Sequence, residues 1–254
     1  MEVHKHPHHV MHSKKWHEYL LEFLMLFLAV FLGFVAENIR EDQSDKGKEK
    51  QYMQSIIKDL ETDTTNLKNI IKRKSDDIVR TDSLLKLLTG ENFQNATGLI
   101  YYYGRMISLT DFFHITNGTV QQLINSGSLR LIKKQDIIDS IQSYMNTYAD
   151  LSFRQNLEEE HIFQYRDVAS KIFDVKVFEA IVRDTSSNMM SDTASISKPV
   201  GNPSLLTNDK LFLNEMLMKV HYMKRNKIYN KRNLQLLNIK AKELIQLIKN
   251  EYNV

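Results

Sequence analysis

Residues 8–198 contain no proline, and the whole chain of 254 residues holds only 8 glycines. Proline and glycine are the residues that interrupt helices and build tight turns. A stretch that lacks one and is poor in the other is weak material for hairpins and good material for long helices. The three prolines, Pro7, Pro199 and Pro203, all lie outside it. The absence of cysteine excludes a disulfide framework and a zinc-thiolate site. Apolar and charged fractions of 42% and 26% exclude collagen-like and wholly disordered chains. The expected fold class is all-α, with a single N-terminal transmembrane helix followed by an elongated helical bundle of coiled-coil-like long helices.

The membrane expectation rests on residues 20–36, LLEFLMLFLAVFLGFVA, in which only Glu22 is charged. As a helix this run is about 25 Å long, the short end of what spans a bilayer. Trp16, His17 and Tyr19 precede it, and Glu37, Asn38 and Arg40 follow, which suits the two interfaces. A buried core helix so uniformly apolar would need cover on all sides. A cleaved signal would want a shorter apolar region and small residues at −3 and −1, and with Ala36 at −1 the −3 position is Phe34. The basic residues on the two sides nearly balance: Lys5, Lys14 and Lys15 before, Arg40, Lys46, Lys48 and Lys50 after. Because Lys14 and Lys15 lie so near the span, we place the N-terminus in the cytoplasm and the large domain outside a bacterial inner membrane.

Within the span, Ala29, Gly33 and Ala36 recur at steps of four and three. Small residues on one face let two membrane helices approach closely, so these three are the candidate packing face. Six of the nine histidines fall in the first 17 residues. His4, His6, His8, His9 and His12 form a candidate metal-binding tail, because imidazole is a general ligand for zinc, copper and nickel. The competing reading is a tail whose histidines turn cationic near pH 6 and meet anionic lipid. No cofactor is expected.

Beyond the span the chain divides into a charged stalk over 37–52, a helical domain over 53–184, a polar loop over 185–206 and a basic C-terminal helix over 207–254, after a His-rich tail over 1–18 and the membrane helix over 19–36. Alternate steps of four and three from Met53 predict a seam of Met53, Ile57, Leu60, Thr64, Leu67, Ile71, Lys74, Ile78, Thr81, Leu85 and Leu88. Residues 89–98 read as a loop. Asn117-Gly118 reads as a turn, with Thr119 capping a short helix to Asn125 and Gly127 stopping it. The next helix should run from about Lys134 to about Phe173, with Ile137, Ile138, Ile141, Tyr144, Met145, Tyr148, Leu151 and Leu157 on its apolar face. The last should begin at Asn208, or with Thr207 as cap, with a seam of Met216, Val220, Met223, Lys227, Asn230, Leu234, Leu237, Ala241, Leu244 and Ile248. Residues 210–254 hold ten Lys or Arg against three Glu, while 150–192 hold nine acidic against five basic residues. Aromatic side chains are not interleaved with the basic charges as stacking on nucleic acid would require, so the basic helix is expected to present a solvated face that partly complements the acidic stretch over 150–192.

The membrane run with ENIRE straight after it, then a charged helix, then QQLINSGSLRLIKKQDIIDSIQSYMNTY, resembles a family of uncharacterised single-pass membrane proteins common in the Bacteroidota. The resemblance lies in residues 20–41 and 119–148, and includes the Ser126-Gly127 turn between two helices. It implies a membrane-anchored helical protein and brings no catalytic residue with it.

No glycine-rich phosphate loop, nucleophile elbow or HExxH occurs in the chain. Glu158 and His161 make a single Glu-x-x-His, but a di-iron bundle needs a second copy. The expected reading is therefore an exposed run of Glu158, Glu159 and Glu160 followed by a partly buried histidine. The expected function is a non-enzymatic scaffold, anchor or sensory subunit, partnered by the bilayer and by a second copy or another helical protein, with no nucleic acid. The rivals are an enzyme without a recognisable motif and a metal-responsive membrane protein using the tail.

Overall fold

The computed structural model describes residues 15–182 and 196–254. The described residues are helical, with no strand beyond one isolated antiparallel bridge between Val182 and Ile196. Six helices are described: α1 (Trp16–Leu88), α2 (Thr97–Ile107), α3 (Gly118–Asn125), α4 (Gln135–Ile172), α5 (Val175–Ile181) and α6 (Lys210–Tyr252). The chain forms two units, divided between Gln51 and Tyr52 within α1.

In the first unit, the part of α1 around residues 20–36 is long and apolar enough to cross a membrane, and none of that window is buried. Phe23, Phe27 and Phe31 stack along one side of it, with ring centroids 6.4 and 6.1 Å apart. The charged residues after it pair along the helix: Arg40 with Glu37, Lys46 with Asp42 and Lys48 with Asp45. Such three- and four-residue spacings bring opposite charges together on a helix surface and support helicity where no apolar face does.

In the second unit, α1, α4 and α6 share two apolar cores. The first gathers Met53–Ile70 positions of α1, Ile137 to Leu151 of α4 and Leu234 to Ile248 of α6. The second gathers Leu84 and Leu88, Ile162 to Ile172, and Leu213 to Met223. Helices α1 and α4 thus run in the same direction, and α6 returns.

Buried residues recur at alternate steps of three and four on all three helices. On α6 they are Leu213, Met216, Val220, Met223, Lys227, Asn230, Leu234, Leu237, Ala241, Leu244 and Ile248, so every residue of the expected seam is buried. On α1 they are Met53, Ile56, Leu60, Asp63, Leu67, Ile70, Lys74, Asp77, Thr81, Leu84 and Leu88. This corrects the α1 expectation at alternate positions. Ile57 is buried too, but Thr64, Ile71, Ile78 and Leu85 are only half-buried. Counting apolar residues steers the seam away from Asp63 and Asp77, which are buried because each has partners inside.

The path from α1 to α4 departs from a plain loop. Residues 93–96 make a 3-10 turn and α2 starts at Thr97, so the expected break at 89–98 is shorter than the reading had it. Gly104 lets α2 lie against α4: a Cβ there would stand 2.6 Å from Cζ of Phe173. Residues 109–117 are then neither helix nor strand and lead back to the first core, where Phe113 is buried. A segment outside helix and strand needs partners for its buried backbone groups. Side chains supply them. Gln155 accepts from Phe113 N at 2.8 Å and donates to Phe113 O at 3.1 Å. Asp63 accepts from Thr116 N at 2.8 Å, and Asp59 from Thr119 N at 3.2 Å.

Asn117, not Thr119, stands at the N-cap of α3, and Thr119 lies inside the helix. Gly127 has φ +67°, the left-handed stop expected of it. Helix α4 is flanked by Lys134 and Phe173, as expected. Helix α5 and the 3-10 turn Ser128–Leu131 were not foreseen. Helix α6 starts later than expected, at Lys210, because Asp209 is the residue whose carboxylate accepts from Leu211 N at 2.7 Å. Residues 185–195 of the expected polar loop, and residues 183–184 before it, lie outside the described residues.

The register of α6 yields a paired test. Leu237 is fully buried and its neighbour Leu236 is 45% exposed. Leu237→Ala should cost about 2–5 kcal/mol, and Leu236→Ala about 0.5 kcal/mol or less, measured by denaturant unfolding of the detergent-solubilised chain. Equal effects would mean the register is wrong.

Candidate functional site

Between the two apolar cores, the seams of all three helices turn polar together. Helix α1 contributes Lys74, Asp77 and Thr81, helix α4 contributes Gln155 and Glu158, and helix α6 contributes Asn226, Lys227 and Asn230. All eight are buried. Apart from Asn226, the continuing three-and-four spacing of each helix aims them at one layer, and Thr110 joins from the segment between α2 and α3.

Glu158 is the centre of this layer. Its side chain is fully buried, as is that of Lys227, and Lys74 is 3% exposed. The Nζ of Lys74 lies 2.7 Å from Oε1 of Glu158, and that of Lys227 lies 3.3 Å from the same oxygen. Thr110 donates to Oε1 at 3.0 Å, and Asn230 Nδ2 donates to Oε2 at 2.5 Å. Lys227 also stands 3.8 Å from Asp77, which accepts from Arg80 at 2.8 Å. Two ammonium groups and two carboxylates balance, which is the condition for holding charge away from water.

The protonation states follow from this geometry. Burial works to raise the Glu158 carboxyl, but the charges of Lys74 and Lys227 and the bonds from Lys74 and Asn230 outweigh it and hold the group down at about 2. Burial lowers Lys74 below an ordinary lysine, and the Glu158 charge restores only part of that. A second buried carboxylate behaves differently. Asp63 receives the hydroxyl of Tyr144 at 2.7 Å and the amide of Thr116. Burial raises its carboxyl, and these bonds reverse that only in part, while the Tyr144 hydroxyl is pushed up by burial and by its bond to Asp63.

What this layer can do chemically is hold the three helices in one register. Every ionised group faces another ionised group, and no open face is left at Glu158 for a substrate. One orphan remains: Asn230 Oδ1 is buried without a hydrogen-bond partner among the described residues.

The layer corrects the expectation for Glu158. Glu159 and Glu160 are exposed, but Glu158 is not a surface residue of that run. It is inside because its heptad position faces two lysines that would otherwise be buried without a counter-charge. His161 is half-buried; its Nδ1 contacts Leu157 O at 2.7 Å and its ring stacks near Tyr222. Lys74, Thr81, Lys227 and Asn230 were in the expected seams. Glu158 and Asp77 were missed. Two lysines in apolar seams call for a carboxylate, and three-and-four steps from Ile137 through Leu151 land on Gln155 and Glu158.

The other expected site residues fall elsewhere. Ala29, Gly33 and Ala36 are exposed, and a Cβ on Gly33 would meet nothing within 4 Å. His4, His6, His8, His9 and His12 lie outside the described residues. Among the described residues no group of three or more His, Cys, Asp and Glu could hold a metal ion. The basic charges of α6 pair more with α1 than with α4: Lys224 with Asp82, and Lys249 with Glu61 at 2.9 Å. No family model, no curated protein and no solved structure matches the chain.

Removing the Glu158 charge leaves two buried cations facing each other. Glu158→Gln should therefore cost about 3–5 kcal/mol at pH 7. The folded carboxyl lies below its ordinary 4.5, so its contribution is complete above that pH and fades as pH falls toward about 2. The stability gap between parent and variant, read from urea titrations at several pH values, should narrow over that interval. A constant gap would show that the carboxylate is not ionised in the folded chain.

Proposed function

We propose that this chain is a single-pass protein of a bacterial inner membrane that works as a non-enzymatic scaffold, anchor or sensory subunit. The observation that carries the reading is a contrast within one helix. Residues 20–36 of α1 are apolar and exposed around the helix, whereas residues 53–88 bury one stripe and expose the rest. A surface of that size and character is stable in lipid and costly in water. Trp16 and Tyr19 at one end and Arg40 and Glu37 at the other mark the two interfaces. The resemblance to the uncharacterised single-pass family of the Bacteroidota agrees with this reading.

The recurrence of buried residues at steps of three and four on α1, α4 and α6 supports coiled-coil-like packing in an elongated bundle, since a repeat of 3.5 residues keeps a seam facing its partners. A layer of paired charge in the middle of such a seam fixes register, which suits a part whose work is to hold or transmit a geometry. In the span, Ala29, Gly33 and Ala36 leave one side of the helix flat, and a second copy of the chain is the partner we assign to it.

The chain has no cysteine, so single introduced thiols report cleanly. The protein should stay with membranes after alkaline carbonate extraction. In intact cells a membrane-impermeant maleimide should label Ser44→Cys and leave Ser13→Cys unlabelled until the cells are opened. Release by carbonate would end the membrane reading, and the reverse labelling would invert the orientation. Oxidation should cross-link Ala29→Cys or Gly33→Cys into dimers more than Phe31→Cys, which lies about 200° round the helix from residue 29. Equal yields would remove Ala29, Gly33 and Ala36 as a packing face.

A further inference from the structure

We propose that the cleft between α2, α4 and α5 is a binding site for a small amphipathic anion, a carboxylate or sulfonate head on a ring or short chain. The proposal stands apart from how the chain is anchored. The cleft has a volume of about 310 Å³, at the lower end for small-molecule pockets. Its floor is apolar and aromatic: Gly104, Tyr165, Ala169, Phe173 and Phe178. Phe173 and Phe178 lie 5.1 Å apart between centroids, and Phe173 is buried while Phe178 is half-buried. Gly104 and Phe173 are so close that any side chain at 104 would displace the ring, so this wall is fixed by packing.

Two guanidinium groups line the same cleft. Arg105 Nη1 donates to Ser108 Oγ at 3.0 Å, and Arg166 Nη2 donates to Ser108 O at 2.6 Å. Both are therefore gathered at one residue. Arg105 is half-buried and Arg166 exposed, its guanidinium also lying 5.6 Å from the Phe163 ring centroid, and neither is paired with a carboxylate among the described residues. Each guanidinium has five N–H donors in a planar fork, and the bond to Ser108 uses one of them. An oxyanion held by both would supply the missing counter-charge and take up the free donors, while its apolar body covers Phe173 and Phe178. A neutral or cationic ligand would leave the guanidinium pair uncompensated. The contrast with another cleft of the same volume is instructive. That one is lined by Asn66, Asn69, Arg73 and His114, but its Arg73 already pairs with Asp111 at 2.6 Å.

The test is calorimetry of the full chain in nanodiscs, with 4-phenylbutyrate as the probe and empty nanodiscs as baseline. Saturable binding is expected at or below about 1 mM, as suits a ligand of a dozen non-hydrogen atoms. The neutral analogue 4-phenylbutan-1-ol should bind at least tenfold more weakly. Arg105→Ala and Arg166→Ala should each weaken phenylbutyrate at least tenfold with an unchanged melting temperature. Because either arginine could also support α2, Ser170→Trp is the second variant. Ser170 is exposed at the rim, so a large ring there should close the cleft and abolish binding without touching a core. No saturable heat up to about 10 mM overturns the proposal. So does equal binding of the alcohol, or phenylbutyrate binding retained in Ser170→Trp.

Discussion

The fold of the second unit depends on Glu158 meeting Lys74 and Lys227. Three helices bring polar residues to the same level of an otherwise apolar interior, and only one relative register lets the charges cancel. Sliding any helix by one turn would part Glu158 from the two lysines that neutralise it. The cost of an unpaired buried charge is several kcal/mol, larger than the gain from most single apolar contacts. The layer thus sets which apolar residues face which, and the two cores on either side are its consequence. Apolar packing supplies the drive to associate; the charges choose among the associations.

The second constraint is the stretch over residues 109–117, which is neither helix nor strand. It runs back between the cores so that α4 can follow the direction of α1, and it has no strand to bond with. The buried side chains of Asp63 and Gln155 stand in for one. This explains why polar residues recur in seams that periodicity alone would fill with leucine. Asp63 further ties the stretch to α4 through Tyr144, so a single carboxylate links three segments. The interior is therefore specified by polar groups at several levels, and the apolar residues between them fill space.

Much of the organisation was legible from residues alone. The seam of α6 from Met216 to Ile248 is buried throughout, including its two anomalous members, Lys227 and Asn230. Gly127 and the ends of α4 were equally readable, because a left-handed stop and a long proline-free periodic run are local properties. The seam of α1 was half legible. Its positions at Met53, Leu60, Leu67, Lys74, Thr81 and Leu88 are buried as expected, but the intervening ones shift by one residue, to Asp63 and Asp77 among others. Hydropathy ranks an aspartate as a surface residue, and nothing local says that Tyr144 and Thr116 wait for it. Helices α2 and α5 are short, and their existence depends on contacts such as Tyr101 with Ser204 and Asp174, distant in sequence.

By itself the amino-acid sequence determined that the chain is helical and that residues 20–36 form a uniformly apolar segment, since both follow from composition and spacing along one helix. It also placed lysines in apolar seams, which is a question without an answer at that level. Tertiary structure decided the answer. Glu158 belongs to a run of three glutamates that look alike in sequence, and only the meeting of three helices distinguishes the one that is buried from the two that stay in water. The gathering of Arg105 and Arg166 at Ser108 was decided there as well. A charge is inside or outside according to what stands opposite, and what stands opposite comes from far along the chain.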